Sequence, residues 1–408
     1  MRKIKNIIVL AGGDSGRFWP LENKFLTQFL GKPFLLQLID GLTSYGENIL
    51  IVGSEANNAM IKELVKNTVE VIVQDPKVDG MAGAVLSCKG KVNGEVVILN
   101  ASDLFDFSFL KDFIKKIEET KADYIFLAKK TTHYFPGSYV IFSNNKVQGF
   151  IEKPPVDQTP SDVLKLVVDY FSNIQTFISY LEKTKTNNDD HYEQGINAFL
   201  LDKPVMDYIL YEDYWYVLKY PWHVLSMMKH FLDGIKVNKL ADSKDLTIAE
   251  TAIIQGPVIM EKGVKVGHFA KITGPCYIGE NTIIADYALV RESHIGKNCL
   301  IGSSCEVARS YLSDRVSLHR NYVGDSVLAE GVLFGSGTVT ANFRFDENEV
   351  QSVAKGKKVN THMKKLGVMV GKNTKVGINA TLYPGVKIGS NCLVFPGEVV
   401  RKDVPDKQ

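Results

Sequence analysis

The sequence predicts a Rossmann-like, doubly wound α/β domain followed by a left-handed parallel β-helix. Up to about residue 232, short apolar runs alternate with longer amphipathic stretches, as strands and crossover helices do. From about residue 247, apolar residues recur at every sixth position. The 408-residue length accommodates both, because a single domain commonly holds about 100–200 residues.

The first region contains five candidate strands and four candidate helices. The expected strands are Asn6–Leu10, Asn48–Val52, Glu70–Val73, Glu95–Asn100 and Asp123–Ala128. The expected helices are Phe34–Leu42, Ala56–Lys66, Ala82–Cys88 and Phe109–Glu119. Alternating strands and helices predict a largely parallel sheet, in which ligands bind beyond the carboxyl ends of the strands.

The second region keeps a six-residue period with one slip of a single residue. Three hexapeptides make one triangular coil, in which a small apolar residue of each hexapeptide points inward. A β-sandwich would show two-residue alternation and turns about every 8–12 residues, so the β-helix is the better interpretation. The expected domains are residues 1–232 and 247–408, joined by a short polar connector, 233–246. The inward positions are Val266, Ile272, Ile278, Ile284, Val290, Ile295, Ile301, Val307, Val370, Val376, Leu382, Ile388, Val394 and Val400.

Composition excludes several functional classes. The 48 basic and 46 acidic residues give a net charge of +2, so we expect neither a nucleic acid nor a membrane as partner. The five cysteines form no C-x-x-C pair, which argues against a disulfide framework or a zinc site and favours a cytoplasmic location. No run of about 18 apolar residues is present. The apolar run that ends at Ala11 is interpreted as a first strand and not as a signal peptide.

The most informative motif is the glycine-rich turn after the first strand. Gly12 and Gly13 allow backbone N–H groups to approach phosphates, and Arg17 and Lys24 supply positive charge nearby. With Pro20-Leu21 and Lys32-Pro33, this stretch resembles the signature of sugar-1-phosphate nucleotidylyltransferases, also called NDP-sugar pyrophosphorylases.

Further segments resemble the same family and occur in its order. Gln74 and the Asp79–Val85 segment, with Gly80, are similar to the part that contacts the base. Asp103 follows an apolar strand and resembles the Mg²⁺-binding aspartate of the family. Taken alone, Asp103 is equally compatible with a helix cap, and Gln74 alone decides nothing.

The sugar-phosphate segment of the family resembles Phe135–Tyr139, with Gly137, followed by Gly149–Pro154. The resemblance implies that Glu152 binds hydroxyls, that Lys153 binds the phosphate and that Glu193, after Tyr192, contacts the sugar. A solvated surface pair is the alternative interpretation of Glu152-Lys153.

The resemblance implies in-line attack of a sugar-1-phosphate oxygen on the α-phosphorus of a nucleoside triphosphate, with release of pyrophosphate. The nucleophile is already anionic, so positioning and charge neutralisation by Arg17, Lys24, Lys153 and Mg²⁺ at Asp103 carry the catalysis, and no general base is required. UTP and N-acetylglucosamine-1-phosphate are the expected substrates, although Gln74 does not fix the base.

Two departures from the family pattern concern this reaction. In Gly13-Asp-Ser-Gly-Arg17, the small residues of the usual loop are exchanged while the arginine is kept. Val217 occupies the position of the second metal-binding aspartate. Because a hydrocarbon side chain cannot bind a hard cation, an inactive first domain stays open as an alternative.

The second region resembles the acetyltransferase half of the bifunctional glucosamine-1-phosphate acetyltransferase/N-acetylglucosamine-1-phosphate uridylyltransferases, especially the archaeal type. The similarity lies in His319–Ser326, Phe334–Asn342 and further segments up to Pro405. It implies acetyl-CoA as co-substrate, His319 as general base, Tyr322 at the sugar phosphate and Asn342 at the amine or acetyl group. It also implies a trimer with sites between subunits.

Here too the pattern is incomplete. Leu333 stands where the family commonly has asparagine, and Ala308-Arg309 stands where it has Lys-Asn, so that Arg309 is a candidate replacement for the lysine charge. Two alternatives therefore remain beside a bifunctional enzyme. One is a nucleotidylyltransferase whose β-helix only oligomerises, and the other is a diverged protein that binds nucleotide or sugar phosphate without turnover.

Overall fold

The computed structural model describes residues 2–13, 16–66 and 68–407, and these form two compact units. The first unit comprises Met1–Asp14 and Leu35–Tyr216. The second comprises Ser15–Phe34 and Val217–Gln408. The second unit thus includes a segment that lies near the amino terminus in sequence.

The expected strands and helices of the first region are confirmed, with boundaries that differ by at most a few residues. The strands up to residue 217 are β1 (Ile4–Ala11), β2 (Gln28–Phe29), β3 (Lys32–Pro33), β4 (Gly46–Gly53), β5 (Glu70–Val73), β6 (Val96–Asn100), β7 (Asp103–Phe105), β8 (Tyr124–Lys130), β9 (Ser138–Ser143), β10 (Lys146–Glu152), β11 (Val163–Phe171), β12 (Met206–Leu210) and β13 (Trp215–Val217). The helices are α1 (Phe34–Thr43), α2 (Glu55–Val65), α3 (Gly80–Leu86), α4 (Phe109–Thr120), α5 (Ile174–Lys183), α6 (His191–Leu201) and α7 (His223–Asp233).

Within the described residues, the sheet of the first unit has nine strands and is mixed. Its main order is β10-β9-β11-β6-β1-β4-β5, and β8 pairs with both β11 and β12. β1 is parallel to β4 and β6, so Leu10 lies beside Val52 and Asn100. β11 is antiparallel to β6 and β8. The parallel half agrees with the sequence prediction, and the antiparallel half is an addition to it.

The parallel pairing determines where ligand-binding residues collect. Because β1 and β6 run side by side in the same direction, the residues that follow both strands emerge at one edge of the sheet. Leu10 accepts a hydrogen bond from the Ala101 amide at 3.0 Å, which continues the pairing beyond β6. The glycine turn after β1 and the start of β7 therefore share this edge.

The β-helix begins within the predicted connector, at β14, which pairs in parallel with β17, and its strands continue to Val400. Its strands are β14 (Lys239–Leu240), β15 (Thr247–Ile248), β16 (Ile253–Gln255), β17 (Val258–Met260), β18 (Lys265–Val266), β19 (Lys271–Thr273), β20 (Cys276–Ile278), β21 (Ile283–Ile284), β22 (Leu289–Arg291), β23 (His294–Ile295), β24 (Leu300–Ile301), β25 (Glu306–Ala308), β26 (Tyr311–Leu312), β27 (Ser317–Leu318), β28 (Tyr322–Gly324), β29 (Val327–Leu328), β30 (Leu333–Phe334), β31 (Val339–Thr340), β32 (Gln351–Ala354), β33 (Lys357–Asn360), β34 (Met369–Val370), β35 (Lys375–Val376), β36 (Thr381–Leu382), β37 (Lys387–Ile388), β38 (Leu393–Val394) and β39 (Val399–Val400).

These strands form three parallel sheets, each of eight strands among the described residues. The first β-helix sheet runs β14-β17-β20-β23-β26-β29-β34-β37, the second begins at β15 and the third at β16. Ile272 pairs with Val290, so one coil lies directly above the next. All the six-residue positions predicted from the sequence lie in the buried core, which confirms the hexapeptide β-helix. The antiparallel hairpin β32–β33 is an insertion between two coils.

Two further sequence expectations can be compared with the structure. The cysteines Cys88, Cys276, Cys299, Cys305 and Cys392 are all free and buried. Across the described ranges, no helix is both long enough and apolar enough to cross a bilayer.

A buried histidine on the first β-helix sheet makes the stability of the second unit depend on pH. His294 stacks between Tyr277 and Tyr311, with ring centroids 4.7 Å apart on each side. Among the residues that the structure describes, neither ring nitrogen has a hydrogen-bond partner. Burial lowers the pKa of His294 from 6.5 to about 4, so the unfolded chain binds the proton more tightly than the folded chain between these two pH values.

We predict that acidification destabilises the second unit through this ring. Between pH 7 and pH 5, the wild-type free energy of unfolding should fall by about 2 kcal/mol more than that of His294→Phe, which keeps an aromatic stack without a titrating group. Urea unfolding at both pH values measures the difference. His133→Phe, at an exposed position, is the matched control and should behave as wild type. Equal pH dependence in wild type and His294→Phe would contradict the prediction.

Candidate active sites

The glycine turn after β1 is packed against the loop that precedes α3. A Cβ atom on Gly12 would lie 2.1 Å from Oε1 of Gln74, so a larger residue there would displace the Gln74 side chain. Nε2 of Gln74 donates to the carbonyls of Val78 at 2.9 Å and Gly80 at 3.1 Å. The structure thus brings together Gly12, Gln74 and Gly80. Gly13 follows and is exposed.

Part of the signature loop, Asp14 and Ser15, lies outside the described residues. Gly80 adopts a left-handed backbone with φ of +72° at the start of α3. A Cβ atom on Gly83 would lie 1.8 Å from the Val78 carbonyl oxygen. Glycine at these two positions lets the preceding loop pack closely against the first turn of α3.

Asp103 begins β7 and is buried, with only 3% of its surface exposed. The chain reaches it through a turn in which the Ser102 amide donates to Oδ1 of Asn100 at 3.0 Å. The helix-cap interpretation of Asp103 is wrong, because α4 begins at Phe109 with Ser108 before it. A buried carboxylate at the ligand-binding edge of a sheet is suited to bind a cation.

The residues of the predicted sugar-phosphate segment form a connected cluster. Ser138 Oγ donates to Glu152 Oε2 at 2.7 Å, and Lys153 Nζ lies 2.9 Å from Glu152 Oε1 and 3.0 Å from Asp189 Oδ2. The Lys153 amide donates to the Gly137 carbonyl at 3.0 Å, and Lys153 has a φ of +49°. The Glu152 side chain is only 12% exposed, whereas the Lys153 side chain is 36% exposed, so the pair lies at the surface with its carboxylate turned inward.

Glu193 on α6 lies beside this cluster. Burial, and then the negative charge of Glu152, raise the pKa of Glu193 to about 7, while Lys165 opposes the shift. The carboxyl group is therefore poised to change charge near neutral pH. This property follows from packing that no local sequence motif reveals.

A buried polar network that the sequence did not predict fixes the start of α6, the helix that carries Glu193. Lys165 Nζ and Asp169 Oδ2 lie 2.7 Å apart, and both side chains are fully buried. The hydroxyl groups of Tyr124 and Tyr192 donate to the two Asp169 oxygens at 2.7 and 3.0 Å. Because Tyr192 directly precedes Glu193, this network fixes the start of α6 and with it the orientation of Glu193.

The Gly80 loop and the cluster around Glu152 and Lys153 are neighbours within the first unit. A Cβ atom on Gly80 would lie 3.8 Å from Oδ1 of Asp189, the residue that pairs with Lys153. Asp189 was not found by sequence reasoning, since it lies in a polar loop with no recognisable motif. Its position connects the two halves of the predicted site.

Arg17 and Lys24 belong to the second unit. Arg17 is exposed, and Lys24 begins a short 3₁₀ turn, Lys24–Leu26. The Asn23 side chain accepts a hydrogen bond from the Phe25 amide at 2.9 Å and thereby fixes this turn. Lys24 Nζ lies 5.2 Å from the centre of the Phe25 ring.

Val217, at the position where a second metal-binding carboxylate is expected, is the last residue of β13. The carbonyl of Val217 accepts a hydrogen bond from Nδ1 of His223 at 2.5 Å, and burial lowers the pKa of His223 to about 4. In the part of the chain that the structure describes, no three His, Cys, Asp or Glu side chains converge on a metal position. A single carboxylate, Asp103, still fits Mg²⁺, because this ion commonly takes one or two carboxylates and completes its shell with phosphates and water.

In the β-helix, Tyr322 and Asn342 form part of a second polar cluster. Asn342 Nδ2 donates to the hydroxyl of Tyr322 at 3.2 Å and to Oδ2 of Asp325 at 2.5 Å. Arg309 forms a bidentate pair with Asp325, with distances of 2.7 and 2.8 Å. This pairing raises the pKa of Arg309, so the arginine charge is already compensated inside the protein.

His319 lies on the turn after β27 and is exposed. Its amide donates to Oδ1 of Asn321 at 2.6 Å, and its ring makes no hydrogen bond to any residue that the structure describes. Within one chain the structure therefore joins Tyr322 and Asn342 by a hydrogen bond, and His319 takes no part in that cluster of hydrogen bonds. Leu333, on β30, is half-buried and in register with Ser317 of β27. Sequence reasoning missed Asp325, although it lies within the quoted His319–Ser326 segment.

Comparisons with known proteins agree with the families expected for the first and the second region. A nucleotidyl transferase family model matches residues 6–216, and a bacterial transferase hexapeptide model, six repeats, matches residues 257–292. A bifunctional sugar-1-phosphate nucleotidylyltransferase/acetyltransferase from Sulfurisphaera tokodaii is 34% identical over 97% of each chain. A bifunctional protein GlmU from Methanocaldococcus jannaschii is 29% identical over 97% of this chain and 95% of that protein. The chain is thus an enzyme of the nucleotidyl transferase family, within the group of bifunctional sugar-1-phosphate nucleotidylyltransferase/acetyltransferases.

Proposed function

We propose that the chain transfers a nucleotidyl group from UTP to N-acetylglucosamine-1-phosphate with release of pyrophosphate. The observation that carries this proposal is the juxtaposition in the first unit of the Gly80 loop with the Lys153–Asp189 pair. The loop offers a glycine backbone and the Gln74 amide to a base. Lys153 offers a cation to a sugar phosphate, which takes the place of the 82% exposed Asp189 carboxylate beside it. A ligand that spans both has the composition of a nucleotide sugar.

The residues of the first site act on charge and orientation. The sugar-1-phosphate is already an anion, so bond formation at the α-phosphorus needs alignment and neutralisation of charge more than proton removal. Lys153 holds the sugar phosphate, and Glu152 and Glu193 accept hydrogen bonds from sugar hydroxyls. Arg17 and Lys24 bind the triphosphate and stabilise the negative charge that moves to the pyrophosphate.

Asp103 is the carboxylate that would hold Mg²⁺ together with substrate phosphates. When bound, the ion supplies further neutralisation of phosphate charge. Val217 adds no side-chain oxygen, so the ion depends more on the substrate than it does at a site with two carboxylates.

For the β-helix, we propose acetyl transfer from acetyl-CoA to glucosamine-1-phosphate. In this reaction His319 accepts the proton that the attacking ammonium group must lose, Tyr322 contacts the sugar phosphate and Asn342 orients the amine or acetyl group. We also propose that the enzyme is a cytoplasmic homotrimer. Exposed apolar side chains on the β-helix, among them Leu393, Phe395 and Val399, support contacts between copies.

One observation favours a second candidate, a nucleotidylyltransferase whose β-helix only assembles subunits. The Arg309–Asp325 pair and the Asn342 hydrogen bond to Asp325 satisfy one another. A cluster whose charges are internally compensated holds an anion less strongly than one with an uncompensated cation. Coenzyme A release in the presence of glucosamine-1-phosphate distinguishes this candidate from the bifunctional enzyme.

The first prediction from this proposal concerns Asp103. With Mg²⁺, UTP and N-acetylglucosamine-1-phosphate, the wild-type protein should release pyrophosphate, and Asp103→Ala should lower kcat by about 100-fold or more, as loss of a charge-stabilising group does. A panel of five nucleoside triphosphates and several sugar-1-phosphates measures the preference. Asp112→Ala, at an exposed position on α4, is the control and should keep full activity. No pyrophosphate release from any pair would contradict the proposed function.

The second prediction uses the pKa of Glu193. Because the carboxylate accepts hydrogen bonds from hydroxyls and the protonated acid accepts fewer, kcat/KM for the sugar-1-phosphate should rise as pH increases through about 7. Glu193→Gln should be less active and should lose this inflection. Initial rates between pH 5.5 and pH 8.5, about 1.5 units either side of the pKa, test the effect, with Glu182→Gln at a more exposed glutamate as control. An unchanged profile in Glu193→Gln would assign the inflection to another group.

The third prediction separates the two activities. His319→Ala should lower acetyl transfer by about 100-fold or more, the usual contribution of a general base, and should leave pyrophosphate release unchanged. Coenzyme A formation is followed with a thiol reagent. His268→Ala, at another turn of the β-helix, serves as control. Equal acetyl transfer in wild type and His319→Ala would remove His319 from the mechanism.

A further inference from the structure

The segment that carries Arg17 and Lys24 is attached to one face of the β-helix. We call residues 16–34 the signature segment. It contains a 3₁₀ turn, Lys24–Leu26, and the two-residue strands β2 and β3. Elements this short do not hold a fixed conformation by themselves. The conformation of the signature segment therefore depends on what it packs against within the second unit.

The central attachment is made by Tyr311, on β26. Its hydroxyl accepts a hydrogen bond from the Gln28 amide at 3.2 Å and donates one to the Gln28 carbonyl at 2.9 Å. Tyr311 is 4% exposed. One side chain thus satisfies both backbone groups of one residue of β2, away from bulk water, and fixes the backbone there in position and direction.

Two further rings extend this attachment along the first β-helix sheet. Tyr277, His294 and Tyr311 occupy equivalent outward positions on β20, β23 and β26, and we call them the aromatic ladder. Their rings are stacked 4.7 Å apart. A Cβ atom on Gly31 would lie 2.4 Å from the Tyr277 hydroxyl oxygen, and Gly31 has a φ of +76°. The β2–β3 turn therefore rests directly on Tyr277.

The signature segment is held at other points as well. Phe29 stacks on Phe231 of α7 with a centroid distance of 5.0 Å. Nearer its start, Trp19 Nε1 donates to Asp406 Oδ2 at 2.9 Å, and Lys387 Nζ lies 4.6 Å from the centre of the Trp19 ring. Lys24 thus lies in a short stretch of chain with an attachment to the β-helix on each side.

We propose that the aromatic ladder is a positioning device for nucleotidyl transfer, in which Tyr311 fixes the place of Lys24. The inference rests on the proposed function, because it assumes that Lys24 meets the triphosphate. A cation that stabilises charge in a transition state must be held within a fraction of an ångström of its place. The β-helix, which belongs to the second activity, thereby sets the efficiency of the first one.

Tyr311→Phe tests this inference, since it removes both hydrogen bonds to Gln28 and retains the stacked ring. We expect kcat/KM for the nucleoside triphosphate to fall roughly tenfold, because misplacement by about 1 Å costs up to about 100-fold. KM for the sugar-1-phosphate should stay within about twofold, because Lys153 and Glu152 bind that substrate from the first unit. Coenzyme A formation should be unchanged. Tyr287→Phe, the same substitution at an exposed ring that stacks on Phe269, should leave all rates at the wild-type level.

Hydrogen exchange measured by mass spectrometry supplies a readout that does not depend on activity. In Tyr311→Phe, amides of residues 24–34 should exchange at least about fivefold faster than in wild type, with the β-helix core unchanged. Gly31→Ala, which disturbs the contact with Tyr277, should give the same pattern and the same kinetic effect. It provides a second route to the result if one variant folds poorly.

The remaining outcomes distinguish failure of the positioning role from failure of the proposed function. Active wild type with unaltered kinetics in Tyr311→Phe and Gly31→Ala would overturn the positioning role and leave the proposed function intact. Unaltered exchange in both variants would overturn it as well. A wild type that releases no pyrophosphate with any substrate pair would overturn the proposed function, and the catalytic role of the ladder with it.

Discussion

The constraint on which the second unit depends is the six-residue period of its inward side chains. Each coil of the β-helix has room for one small apolar residue per hexapeptide, and residues such as Val266 and Ile272 fill these positions. Because these side chains fill the interior, a coil cannot rotate or shift relative to the coils above and below it without losing this packing. Every outward position is thereby fixed relative to the positions one coil above and below it.

This regularity lets one scaffold present two different chemistries. On the first β-helix sheet, stacked outward positions carry the aromatic ladder. At the third sheet, Tyr322 of β28 and the residues beside it form the polar cluster with Asp325 and Asn342. Arg309 of this cluster and Tyr311 of the ladder are separated by Ser310 alone, whose side chain hydrogen-bonds within the interior. The two functional faces are thus connected through a rigid corner.

The sequence was sufficient where structure depends on local periodicity. Five strands, four helices and the inward β-helix positions were predicted because alternation and the hexapeptide period are visible over short distances. The antiparallel strands β9 to β11 were not predicted. The membership of residues 15–34 in the second unit was also missed, because it depends on contacts between residues far apart in sequence, such as Gln28 and Tyr311.

The same distinction applies to the sites. Gly12, Gln74, Glu152 and Lys153 were found because motifs identify them, and the structure brings each of them into a local cluster. Asp189, Asp325 and the buried Lys165–Asp169 pair were missed. These residues pair with charged groups on other loops and strands. Which charged groups pair with each other is visible only in the folded chain.

On the proposed function, charge balance also explains why the position of Lys24 matters. Val217 leaves Asp103 as the single motif carboxylate for a metal ion, so less of the triphosphate charge is balanced by a metal that the protein itself holds. More of that charge then falls on the cationic side chains of the signature segment. A flexible segment could not deliver that stabilisation in the transition state, since its ordering would cost conformational entropy at each turnover. Attachment to a rigid β-helix removes this cost before the substrate arrives.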